Sequence, residues 1–101
     1  MKKIINGKKY DTETARVVGS WSYGNSGDFR YQMETLYCKK TGEYFLEGEG
    51  GPLTDYRTSV GTNSWTGGCQ LIPYTLEEAQ QWAMQYMDGD DYEEEFGEVE
   101  E

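Results

Sequence analysis

The chain has 101 residues, a formal net charge of −10, no histidine and two cysteines. That length suits one domain with a single modest core, and the negative charge disfavours direct binding to DNA or to anionic membranes. Without histidine, Ser-His-Asp catalysis, Cys-His catalysis and His-ligated zinc are excluded within the chain, and two thiols cannot build a four-thiolate site.

In chain order, Ile4-Ile5 and Lys8-Lys9-Tyr10 flank Asn6-Gly7, a pair that supplies the positive φ angles of a two-residue type I′ turn, so a hairpin is expected. Lys2 and Lys3 precede only two apolar residues before that turn, which is not a signal-peptide pattern; an intracellular, reduced, cytoplasmic chain is expected. Asp11 or Thr12 can cap a brief helical turn, with Glu13 favourably placed against its dipole. Arg16 to Trp21 reads as a strand and 24–28 as a loop.

The chain is organised around a hairpin between Phe29 and Gly51, with Lys39-Lys40-Thr41-Gly42 as its turn and Glu43 to Glu49 as its return strand. Alternation puts Tyr44 and Leu46 on one face, taken as core, and Glu43, Phe45, Glu47 and Glu49 on the other, taken as acidic. Gly48-Glu49-Gly50-Gly51-Pro52 then reverses the chain; it lacks the Gly-Lys-Ser/Thr of a phosphate loop. The stretch 52–68 is expected to be irregular, with Tyr56, Val60 and Trp65 as its apolar anchors. Cys69 to Ile72 suggests a last strand ended by Pro73.

Thr75 and Glu78 form a capping box, and Leu76, Ala79, Trp82, Ala83, Tyr86 and Met87 recur at helical spacing on one face. Gly89 is expected to close this helix as a left-handed cap, and Asp90 with Glu93 to start a shorter one with Tyr92, Phe96 and Val99 along one side. Aromatics make up 15% of the residues, including nine Tyr and three Trp, so large rings are expected to carry most of the burial. The fold expected is α+β: an antiparallel sheet of four or five strands packed against one C-terminal amphipathic helix, followed by a short acidic helical turn. Residues 1–97 would form the domain and 98–101 an acidic end.

The charge is lopsided. Residues 1–87 hold ten acidic and nine basic side chains, whereas residues 88–101 hold nine acidic and none basic. If helical throughout, that segment would carry about one carboxylate per 2.3 Å, against roughly 1.7 Å per phosphate along duplex DNA. Asp88, Asp90, Asp91, Glu93, Glu94 and Glu95 are therefore candidate contacts for a basic protein, with Glu47 and Glu49 as a second acidic group; a solvated tail that serves only solubility is the alternative. No catalytic residue, metal ligand or cofactor site is assigned. Asp88-Gly89-Asp90-Asp91 departs from a calcium loop because Glu93 stands where glycine is needed. Cys69 has no evident base beside it; a carboxylate pair drawn from Glu47, Glu49 and Asp55 doing acid-base work is a third and weaker reading, since acidic residues on the outer face of a strand are more often simply solvated.

The runs Ile5-Asn6-Gly7-Lys8-Lys9-Tyr10-Asp11-Thr12, Lys39-Lys40-Thr41-Gly42-Glu43-Tyr44-Phe45-Leu46, Gly48-Glu49-Gly50-Gly51, Ile72-Pro73 and Phe96-Gly97-Glu98-Val99 resemble small acidic proteins of mobile elements and prophages of Firmicutes. The resemblance covers nearly the whole chain and extends to anti-CRISPR inhibitors of type II effector nucleases. It implies a phage or mobile-element setting and a protein partner; with the lopsided charge, the function expected is a non-enzymatic, stoichiometric inhibitor of such a nuclease acting through an acidic, DNA-mimicking surface. It carries over no site residue. The alternative is an interaction or regulatory module that engages its partner through the aromatic loop from Tyr56 to Trp65.

Overall fold

The computed structural model describes residues 1–25, 27–61 and 64–101. Its elements are β1 (Lys2–Ile5), β2 (Lys8–Asp11), β3 (Arg16–Tyr23), β4 (Gln32–Cys38), β5 (Tyr44–Gly50), β6 (Thr58–Gly61), β7 (Ser64–Thr66), β8 (Gly68–Tyr74), α1 (Leu76–Tyr86) and α2 (Gly89–Phe96). The architecture is α+β. β3, β4, β5 and β8 form one antiparallel sheet in the spatial order β3-β4-β5-β8, while β1 with β2 and β6 with β7 make separate two-stranded ribbons.

The β1–β2 ribbon turns at Asn6 and Gly7, whose φ angles of 52° and 78° are those that a type I′ turn demands. Asp11 then caps a single turn, its carboxylate accepting the Glu13 N–H at 2.9 Å. The central hairpin closes where expected: the Gly42 N–H donates to the Lys39 carbonyl and the Lys39 N–H to the Glu43 carbonyl, which sets Cys38 opposite Tyr44 and Leu36 opposite Leu46. Its outgoing strand begins only at Gln32. Phe29, expected in that strand, lies exposed in a bend where the Asp28 carboxylate accepts the Arg30 N–H at 2.8 Å. Within the expected loop at 24–28, Ser26 lies outside the described residues.

Both faces of the sheet are covered. On one, Leu36, Cys38, Tyr44 and Leu46 join Ala79, Trp82 and Ala83 of α1 in a buried cluster, with Tyr92 and Phe96 of α2 packed against it. On the other, Phe45 is fully buried with Tyr10 and Leu71. The expectation that Phe45 shares an acidic, solvated face is thus corrected: the β1–β2 ribbon brings Tyr10 edge-on to the Phe45 ring at 5.5 Å, and Tyr37 stacks on it at 5.2 Å. A local hairpin pattern cannot show which distant segment will cover its outer face.

Three further expectations are revised. The 52–68 stretch contains the β6–β7 ribbon, with Tyr56 buried but Val60 and Trp65 exposed, so only one of its three large apolar residues is an anchor; Thr62 and Asn63 lie outside the described residues. Pro73 does not end β8 but sits within it opposite Phe45, a position compatible with an edge strand. Gly89 is the first residue of α2 rather than a left-handed cap. Met87 ends α1 in extended conformation, Asp88 caps α2 by accepting the Asp90 N–H, and the left-handed glycine is Gly97, with φ 96°, at the end of α2. The capping box of α1 forms as expected, with Thr75 and Glu78 exchanging hydrogen bonds of 2.9 and 3.1 Å. Leu76, however, is exposed; the buried face of α1 is carried by Ala79, Trp82 and Ala83.

Candidate functional site

Two carboxylates on the helix-covered face organise the chemistry of this molecule. Glu34 lies in β4 on the same side as Leu36 and Cys38, so its side chain enters the interior and is only 8% exposed. Burying a carboxylate is costly unless its lone pairs are satisfied. Here Oε1 accepts the indole N–H of Trp21 at 2.7 Å and that of Trp82 at 3.2 Å, and Oε2 accepts the Tyr56 hydroxyl in a short contact. Indole nitrogens only donate, so Oε1 is the acceptor in both of these bonds. Tyr56 reaches it because Gly48, opposite Glu34 in the sheet, leaves no Cβ where the Tyr56 ring lies. Burial first, and the hydrogen bond to Glu34 second, push the Tyr56 hydroxyl well above its ordinary value, so it stays a donor across the physiological range.

No sequence motif pointed to Glu34, although a signal was there. In Glu34-Thr35-Leu36-Tyr37-Cys38 the glutamate shares its parity with two apolar residues, and the chain has several aromatic donors to receive it. Beside Glu34 opens a cleft of about 530 Å³, walled by Tyr74, Trp82 and Tyr86 and rimmed by Glu77 and Glu78 of α1. Trp21 stacks on the Tyr86 ring at 4.5 Å.

The second carboxylate is Glu95, in α2. Its oxygens accept the two terminal nitrogens of Arg16 at 2.6 and 2.7 Å, and one of them also accepts the Tyr44 hydroxyl at 2.7 Å. The paired hydrogen bonds from Arg16 hold the Glu95 carboxyl below its ordinary value, against the opposing effect of burial, and the Tyr44 bond adds to the lowering. With Tyr44 and Tyr92 packed against the Phe96 ring, this clasp docks α2 on the sheet. Val99, expected on the docked side, is exposed. It lies past the Gly97 cap, and only its N–H is engaged, by the Glu93 carboxylate at 2.9 Å.

The expected contact residues therefore divide. Asp88, Asp90, Asp91 and Glu94 are exposed, Glu93 is half-buried, and Glu95 is turned inward to Arg16. Glu47 and Glu49 share the side of β5 that carries Phe45, opposite the side on which α2 docks, so the two acidic groups do not form one surface. Among the described residues no group of three or more carboxylates and thiols is placed to hold a metal ion, and no helix is long and apolar enough to cross a membrane. Cys38 is buried and Cys69 exposed, both as free thiols. Comparison with protein-family models, with curated proteins and with solved structures finds no match.

Proposed function

We propose that this protein is a stoichiometric, non-catalytic inhibitor of a host nuclease, a type II CRISPR effector, and that α2 presents its carboxylates where that enzyme receives nucleic-acid phosphate. One observation carries the reading. Residues 89–96 of the acidic segment form a helix clasped to the sheet through Arg16–Glu95 and its aromatics, while its N-cap Asp88 and Asp90, Asp91 and Glu94 stay turned to solvent and 97–101 continue without helical structure. A tail that served only solubility would need no such clasp. Pre-ordering also lowers the entropy lost on binding a basic groove. The resemblance of the sequence to mobile-element proteins agrees with this setting, and the partner is a basic protein in the bacterial cytoplasm.

The test is a cleavage assay with a type II effector, together with co-purification. Inhibition is expected to saturate near equal stoichiometry, to weaken as salt rises, and to fall about tenfold or more when Asp90, Asp91 and Glu94 become Asn or Gln with Glu95 kept. Full inhibition by that variant would refute the acidic-helix reading. It would favour instead a module that docks through the β6–β7 ribbon, where Trp65 is exposed beneath the Arg57 guanidinium at 4.6 Å.

A further inference from the structure

The cleft beside Glu34 places a structural carboxylate next to open space. Its floor is a buried carboxylate held by three neutral donors, and among the described residues no lysine or arginine pairs with Glu34 or lines the cleft. Hydrogen bonds from neutral groups disperse a buried charge but do not cancel it. The field of Glu34 reaches the neighbouring phenols: burial first, and Glu34 next, push the Tyr74 and Tyr86 hydroxyls up. Three rings, Tyr74, Tyr86 and the buried Trp82, contribute to its walls, and Thr75, Gln81 and Gln85 with Glu77 and Glu78 make the rest of its lining polar. A carboxylate has about four lone-pair sites, of which Glu34 uses three.

We propose that this cleft is a receptor for a single guanidinium group, supplied by an arginine side chain of the protein partner. Aromatic walls and surrounding carboxylates attract a cation and repel an anion. Within the cations, the planar guanidinium is favoured over an ammonium. It is more weakly hydrated, stacks on rings, and can donate to a rim carboxylate while another N–H points toward Glu34. A cleft of about 530 Å³ lies within the range of small-ligand pockets and is roomy enough for an arginine side chain. The inference rests on the function proposed above only for the source of the group, a basic protein; the guanidinium chemistry stands on the cleft itself.

The experiment is an NMR titration of the full chain with Nα-acetyl-arginine amide, reading the indole N–H signals. Trp21 and Trp82 both donate to Glu34, whereas Trp65, in β7 and not among the residues that line the cleft, is an internal control. Saturable shifts of the Trp21 and Trp82 signals in roughly the millimolar range are expected, with Trp65 unmoved. The neutral citrulline counterpart should bind about tenfold or more weakly, and the lysine counterpart less tightly than arginine. Glu34→Gln should weaken the response. Because that variant disturbs the interior, Gln81→Arg serves as the second: it places a tethered guanidinium at the exposed lip of the cleft, leaves every carboxylate in place, and should suppress both the arginine response and partner binding. The absence of saturable shifts, equal binding of citrulline, or an undiminished response in Gln81→Arg would overturn the site. Should Gln81→Arg lose the arginine response yet still bind and inhibit the nuclease fully, the assignment to the partner's arginine would be wrong. A nuclease that is never inhibited, with a positive titration, counts against the inhibitor reading alone.

Discussion

Glu34 and Glu95 are two carboxylates on the same face of one sheet, and they are held by opposite means. Glu34, at 8% exposure, receives three neutral donors from three separate segments: Trp21 in β3, Tyr56 in the connection after β5, and Trp82 in α1. Glu95 receives a charged one, Arg16, whose side chain is 58% exposed, plus the Tyr44 hydroxyl. Glu34 is mostly withdrawn from water, so its hydrogen bonds act at lower dielectric than those of Glu95, and each ties a different segment to β4. Water and salt do compete for Arg16, so the Glu95 clasp is weaker and local. The first glutamate holds the fold together; the second holds one helix onto it.

The most severe way to break this contrast is Glu34→Ala. Two indole N–H groups and a phenol would lose their acceptor inside the core, each at about 1–3 kcal/mol, which is comparable with the roughly 5–15 kcal/mol that stabilise a domain of this size. Loss of a cooperative thermal transition, followed by circular dichroism, is expected; a variant that melts like the parent would show that Glu34 does not bear this role. Tyr56→Phe removes one hydrogen bond to the carboxylate while keeping the ring beside Gly48, and should cost about 1.5–3 kcal/mol in urea denaturation.

Smaller and more local is the effect of Glu95→Gln, about 1 kcal/mol after allowance for the exposure of Arg16. Hydrogen exchange should quicken across 89–96 and stay unchanged in β4 and β5; uniform quickening would mean that α2 is an inseparable part of the core. Acid sharpens the same contrast. Because the folded Glu95 carboxyl titrates below its ordinary value, its stabilising contribution is complete above the unfolded value near 4.3 and is lost as pH falls through the lower, folded value. Protection of the α2 amides should therefore decline on acidification below about pH 4, with the part due to residue 95 missing in Glu95→Gln. A pH profile identical in the two proteins would exclude Glu95 as its source.

Much of the local structure was legible because its causes are local. The Asn6-Gly7 turn, the Lys39–Gly42 reversal and the Thr75/Glu78 capping box depend on backbone angles and hydrogen bonds within a few residues, and all three form. Gly89 is ambiguous in the sequence because a glycine between two helices serves equally as the end of one or the start of the next. Asp88 decides between them: its carboxylate accepts the Asp90 N–H and caps the second helix. The burial of Phe45 and of Glu34 is not legible in the local pattern, for a shared reason. Alternation assigns a side chain to a face, yet what lies over that face comes from far along the chain, Tyr10 in one case and Trp82 in the other.

By itself, then, the order of residues determined the antiparallel α+β character, the turns, the first helix and the concentration of negative charge in the last fourteen residues. Only the tertiary structure decided which carboxylates face solvent and which are withdrawn from it. Residues distant in sequence meet through packing: Arg16 turned Glu95 inward, and the strand order set Glu47 and Glu49 on the face away from α2. Whether a carboxylate can greet a partner depends on the donors already at its oxygens, and those arrive from across the fold.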